Sequence, residues 1–428
     1  MDSGAGLAIG LESILTSTQE EWYKPLQSTK YLWRRQLLKS FSPIVNILTS
    51  SGPERMALDA DNIISEAKRR TGLDDFGGDD FREGLKVLVQ SLESDAHLSP
   101  FGRILIGKQV INALVSRLRL VSFKKRHAQL FAAPLVPPLF VVGLPRSGTT
   151  FLHRLLSSLP AARPIPMWEI VEPIRGRGLD LRKLRGWLIS TSTRFLAPDL
   201  DAKHELRHDR PDECIFLFNS TMVSIGYWQM APVYDYADWC LKQDISGPFS
   251  WYRQFLQYLQ ASCPDRRLTL KAPAYTGQLE ALFGTIPNAL VVQTHRDPRA
   301  VLPSTLSLFE TVHGLVSDQP DTTRMVQTNL NLLSTLLNDN LKALKRIAAD
   351  RVLHVHYEAL TADPIGIVQK IHEHFNLPWS SLHITALEAA LKIHRKGKYG
   401  SHRYSLDDFG LSEAKVSEVF YDYMARFV

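Results

Sequence analysis

The stretch PLFVVGLPRSGTTFLHRLL, residues 138–156, places Gly143 and Gly148 on either side of four residues, after a β-branched run and before an amphipathic segment. A strand that enters a glycine-rich turn and then a helix aims several backbone N–H groups and the positive helix end at one point, where an anion binds. Gly143 and Gly148 permit the tight path and close approach, and Thr149 and Thr150 add hydroxyl donors at the first helical turn. A nucleotide triphosphatase would keep a lysine at position 149 and an Asp on a later strand end to support magnesium. Here Thr149 takes the lysine's place, no apolar strand ends in Asp, and Arg146 sits inside the loop instead. A cation there suits the group being transferred or the bridging oxygen that leaves it. A small-molecule kinase or P-loop NTPase is the alternative enzyme, and a nucleotide-binding protein without turnover is a third reading.

Three further stretches carry chemistry. RLTLKAP (267–273) ends a strand-like run in Lys271, a second cation, which could equally be a surface lysine. LVVQTHRDPRAVLPSTLSL (290–308) ends another in Arg296, followed by Asp297 and Pro298, with Ser304 eight residues after the Arg. Arg296 can fork onto a phosphate and Ser304 add a hydroxyl; a local Arg296–Asp297 ion pair is the bland reading. DAKHELRHDRPDECIFLF (201–218) gathers His204, Glu205, His208, Asp209, Asp212 and Glu213 ahead of an apolar segment. Any acceptor hydroxyl or amine needs a base, and the order of preference is Glu205, then His204, then His208 and Glu213. Asp209 and Asp212 could instead cap the following helix. No His/Cys cluster has zinc spacing, and no metal is expected.

The segment 290–308 resembles the 3′-phosphate motif of sulfotransferases that use 3′-phosphoadenosine 5′-phosphosulfate (PAPS), and FVVGLPRSGTTFLHRLL resembles their 5′-phosphosulfate loop. TLKAPAY (269–275) is similar to their Lys-x-Pro element and YGSHRYSLDDFGLS (399–412) to their C-terminal segment. RRTGLDDFGGDDFREGL (69–85) is similar to the helical N-terminal region of a bacterial- and fungal-type branch. The resemblance implies a P-loop-type α/β fold and sulfuryl transfer from PAPS to a small-molecule hydroxyl or amine, leaving adenosine 3′,5′-bisphosphate (PAP). It assigns Arg296 and Ser304 to the ribose 3′-phosphate and Arg146, Ser147, Gly148, Thr149 and Thr150 to the phosphosulfate. It also brings Lys271 to the reacting centre and Arg395, Lys396 and Gly397 over the donor, although a solvated charge run is an equal reading of those three. His204, Glu205 and Glu213 match a His-Glu pair and a Pro-x-Glu of that branch. Tyr275 departs from the His the branch often carries.

Positioning these groups requires a sheet. LFVVG, RLTLK, ALVVQTHR and RVLHVHYEAL are short β-branched runs alternating with helical segments, including one over 321–350, which predicts a parallel sheet covered on both faces. Before them, apolar residues recur at helical spacing over 80–96, with Asp79 or Asp80 as a cap, and over 100–123. APLVPP then breaks helicity. The expected organisation is a helical N-terminal region, 1–132, followed by an α/β domain, 133–428. The N-terminal helices would shape the acceptor site, form a homodimer or cover the sheet. Aromatics crowd 214–258, most of them expected in the core and some lining an acceptor pocket.

Composition excludes several classes. The hydrophobic share of 44% and charged share of 22% are those of an ordinary globular protein rather than a disordered chain. Fifty basic against 44 acidic residues suits an acidic small ligand, but the short, scattered runs KKRH and HRKGK lack the continuous stripe that nucleic acid needs. Three cysteines without a CxxC pair give no disulfide framework. The acidic N-terminus does not read as a secretory signal, and the longest apolar run carries three prolines and is too short to span a bilayer. The expectation is a cytoplasmic protein.

Overall fold

Five strands form one parallel sheet in the computed structural model, which describes residues 58–197, 200, 203–393 and 405–428. They are β1 (Leu139–Gly143), β2 (Ala162–Pro164), β3 (Arg267–Lys271), β4 (Leu290–His295) and β5 (Val352–His356), in the order β2-β3-β1-β4-β5. Parallel strands require crossover connections, and these are the helices that cover both faces. β1 is central and buried at all five positions, as its uninterrupted apolar sequence predicts. Its partners run in register, Val141 opposite Lys271 of β3 and Gly143 opposite Thr294 of β4. The carboxyl ends of β1, β3 and β4 therefore lie side by side. In an open α/β sheet, ligands bind outside those ends, where strand order reverses.

The longer helices are α1 (Ala60–Thr71), α2 (Arg82–Ser94), α3 (Pro100–Arg126), α4 (Thr149–Ser157), α5 (Arg182–Leu196), α6 (Ser246–Ala261), α7 (Pro298–Val316), α8 (Thr322–Ala343), α9 (Pro364–His374) and α10 (Ser381–Ile393). Local chemistry sets their ends. Asp59 caps α1 at its start and Gly72, at φ 65°, stops it in the left-handed conformation. Ser99 caps α3, Asp297 caps α7 and Asp321 caps α8. One expected cap is absent: α2 has no side-chain cap, because Asp80 is turned to the guanidinium of Arg117, which is fully buried. Leaving Arg117 alone there would strand a charge, so the long-range pair outcompetes the local cap.

Two apolar layers pack the sheet. One joins Leu139, Val141 and Val292 to α4, α9 and α10. The other, much larger, joins Phe140, Leu270 and Val291 to α1, α2, α3, α6, α7 and α8. Most aromatics of 214–258 belong to it, including Phe218, Tyr227, Trp228, Tyr236, Phe249 and Tyr252. Tyr275 packs its ring tilted or edge-on against Phe140, Phe218, Phe249 and Tyr252 and is wholly buried. Among the described residues, no helix is long and apolar enough to cross a membrane.

Candidate active site

The loop between β1 and α4 is shaped by three left-handed residues: Gly143 at φ 130°, Arg146 at 65° and Gly148 at 90°. At Gly143 a Cβ would lie 2.4 Å from the Thr294 carbonyl oxygen, so only glycine lets β1 pass its neighbour. The arginine has no such excuse. A non-glycine residue with positive φ is strained, and strain persists where the surroundings over-determine it. Ser147 is buried and ties the turn down, bonding the Leu144 carbonyl and the Thr294 hydroxyl, both at 2.6 Å. It acts as a brace for the loop through its side chain, leaving its N–H to its own turn at 3.2 Å from the Leu144 oxygen.

Arg146 reaches across to the β4 side. Its Nε donates to Ser304 Oγ at 3.0 Å and its Nη1 to the Lys203 carbonyl at 2.7 Å. Arg296, immediately after β4, donates to the Arg146 carbonyl at 3.0 Å and lays its guanidinium 4.0 Å from the centroid of the Tyr357 ring. The local ion pair considered for Arg296 does not form: Asp297 pairs with Arg299 at 2.7 Å and caps α7. Two motifs about 150 residues apart thus meet in one hydrogen-bonded cluster. Ser304's bond to Arg146 and the Tyr357 face beneath Arg296 are features that sequence reasoning missed, since neither partner is near in the chain.

Lys271, at the end of β3, is 1% exposed, so it is no surface lysine. Its Nζ lies 3.0 Å from Glu213 Oε1, 3.9 Å from Asp212 Oδ1 and 3.5 Å from Thr150 Oγ1. Burial alone would push Asp212 up, but His204, at 3.4 Å, and Lys271 outweigh it and hold the carboxyl well below the usual range. Asp212 also accepts from the Glu213 N–H at 2.7 Å. His153 stands behind Lys271; burial, then the lysine's charge, pulls it down to about 3, so it stays neutral.

A cavity of about 270 Å³ opens beside this cluster. Its polar end holds His204, Asp212, Glu213 and Gln229 with Pro145 and Pro273, and its walls are apolar, among them Ile106 of α3, Ile189 of α5, Phe216, Phe255 and Phe309. Of the four candidate bases, two border the cavity and two do not. His204 and Glu213 border the cavity, whereas Glu205 is absent from its lining and pairs with Arg154 at 2.8 Å. His208 is outside the lining too, its carbonyl bonded to the Trp168 N–H. Arg395, Lys396 and Gly397 lie outside the described residues.

Comparison with known proteins gives one answer. Residues 137–381 match the sulfotransferase family. A curated relative, the omega-hydroxy-beta-dihydromenaquinone-9 sulfotransferase Stf3 of Mycobacterium bovis, is 25% identical over 333 residues, covering 72% of this chain and 80% of its own. The sulfotransferase STF1 of Mycobacterium tuberculosis superposes with a TM-score of 0.70 at 30% identity, over 86% of this chain and 99% of its own. The sulfotransferase STF9 of Mycobacterium avium does so with 0.77 at 27%, over 86% and 96%.

Proposed function

The chain belongs to the sulfotransferase family and is an enzyme that moves a sulfuryl group onto a small-molecule acceptor; from that premise we propose that its donor is PAPS, held across the carboxyl ends of β1 and β4. The observation that carries this reading is the cluster in which Arg296 donates to the Arg146 carbonyl and Arg146 to Ser304. It gives one ligand two anion sites, the loop and α4 N-terminus for a 5′-phosphosulfate and Arg296 with Ser304 for a 3′-phosphate. A nucleoside triphosphate presents no charge at the second.

Sulfuryl transfer, like phosphoryl transfer, passes a loose planar group in line between two oxygens, so catalysis is positioning and charge stabilisation. The acceptor oxygen forms its bond to sulfur as the bond from sulfur to the 5′-phosphate oxygen breaks, and PAP departs with the electron pair. Arg146, Lys271 and the N–H groups of Gly148 and Thr149 take up the developing negative charge, and Thr150 adds its hydroxyl. The acceptor's proton goes to His204. Asp212, ionised beside it, orients the ring and stabilises the imidazolium, in the manner of a carboxylate–histidine pair. Glu213 balances the charge of Lys271.

The cavity's apolar walls support an acceptor whose hydroxyl terminates an apolar body. The mycobacterial relative is named for such an acceptor, an omega-hydroxy-beta-dihydromenaquinone-9. The reading is tested by calorimetric titration, in the presence of a chelator, with PAP, ADP and AMP in parallel. Binding of PAP at micromolar concentration, well ahead of the other two, supports it. Silence with PAP and binding of ADP restored by magnesium would turn the site into a triphosphate pocket.

A further inference from the structure

Helix α5 has two unlike faces. Arg182, Gly186 and Ser190 are buried, and Gly186 packs so closely on the helix Met167–Val171 that a Cβ would lie 2.5 Å from Trp168 Cβ. Ile189 and Thr193 on that inner side line the acceptor cavity. At 3.6 residues per turn, Leu181, Leu184 and Leu188 fall on the opposite side. They are 39%, 51% and 52% exposed, and Leu179, just before the helix, is 83% exposed. A soluble surface scatters single leucines; four exposed leucines within ten residues, three of them on one side of the helix, mark a contact surface.

The surrounding charge says what it contacts. Residues 172–195 contain six basic residues and two acids, Glu172 and Asp180. Arg185 forks onto Glu172 at 2.8 Å and the buried Arg182 onto Asp180 at 2.8 Å, which leaves the exposed Lys183 at the margin of the stripe and the exposed Arg175 and Arg177 beside Leu179. Apolar residues at the centre with Lys and Arg at the margins is the pattern of a helix lying in the plane of a lipid interface, its charges against anionic headgroups.

We infer that the outer face of α5 docks this enzyme on an anionic lipid bilayer. Because the helix's inner face forms a wall of the cavity, docking there brings an apolar acceptor dissolved in the lipid within one helix diameter of the site. That second consequence rests on the acceptor class proposed above; the docking itself does not.

The test is cosedimentation of the full chain with vesicles of phosphatidylcholine alone and of phosphatidylcholine with phosphatidylglycerol, alongside Leu184→Glu/Leu188→Glu and Arg177→Gln/Lys183→Gln. The expected result is binding to the phosphatidylglycerol vesicles that weakens with salt and falls at least about tenfold in the leucine variant, with a smaller loss in the charge variant. PAP titration of each variant reports separately on its fold and on the donor reading. No binding to anionic vesicles by the full chain overturns the inference, as does binding that both variants retain. A wild-type dimer that the leucine variant converts to a monomer, without vesicle binding, would assign the stripe to a second copy of the chain and also overturn it.

Discussion

The proposed donor side and the proposed acceptor side of the site are built from different materials. On the donor side, β1 and β4 are locked in register, Gly143 opposite Thr294, so the loop and Arg296 are placed by the same ladder that holds the sheet. On the acceptor side, the walls come from α3, the helix Met167–Val171, α5, α6, α7 and the segments between them, spread from Leu105 to Val316. A hydrogen-bonded ladder fixes position to within a fraction of an ångström, whereas a cavity between helices fixes only size and polarity. A rigid half can thus define the donor while the other half varies the acceptor. Lys271 is the joint: it ends β3 on one side and binds Glu213 of the acceptor wall on the other.

Substitutions separate the two sides. The largest effect is expected from His204→Ala, a loss of about 10²–10⁴-fold in kcat with donor affinity kept, the range of a general base. A loss confined to KM would make His204 a binding residue. Arg146→Ala is expected to lower kcat by about 10²–10³-fold with donor saturating, the range for one donor of an oxyanion-type site. Arg296→Ala acts on the donor side alone, removing a charge-assisted contact of about 1.5–3 kcal/mol and so weakening PAP about 10–100-fold while kcat changes less. Equal effects on kcat and donor affinity in both arginine variants would erase the distinction between them. Phe309→Ala, in the acceptor wall, is expected to raise acceptor KM by about tenfold without changing PAP binding.

The smallest effect is on stability. Asp212 has a folded pKa below its unfolded one, so its contribution is present above about pH 4, the unfolded value, and is lost as pH falls toward the folded value. Asp212→Asn is therefore expected to cost stability at neutral pH, with the gap to wild type narrowing below pH 4 in denaturant titrations. A gap that stays constant down to pH 2 would mean the carboxylate's charge is not what stabilises it.

The two sides also differed in how far they were legible in the sequence. Strand, turn and helix are local signals, and the cradle of Gly143, Arg146 and Gly148 is contiguous, so the P-loop-type parallel sheet and its anion-binding turn were readable from spacing. Arg296 and Ser304 came from the resemblance to a family motif, and their part in donor binding is proposed. The acceptor side depends on contacts between distant segments. Glu205 and His204 are adjacent in sequence, and only packing turns one to Arg154 and the other to the cavity. Tyr275 follows Lys271 by four residues yet turns into the aromatic core. The burial of Lys271, and the part α3 plays in the cavity wall, follow from tertiary packing that no local pattern encodes.

The most direct test of the division is the discrimination between PAP and AMP, which differ only in the 3′-phosphate, measured by calorimetry in wild type and Arg296→Ala. Wild type is expected to prefer PAP by about 10²-fold or more and the variant to bind PAP little better than AMP, since Arg296 is the cation assigned to that phosphate. A variant that keeps the wild-type preference would place the 3′-phosphate elsewhere and contradict the assignment of the β4 end to the donor.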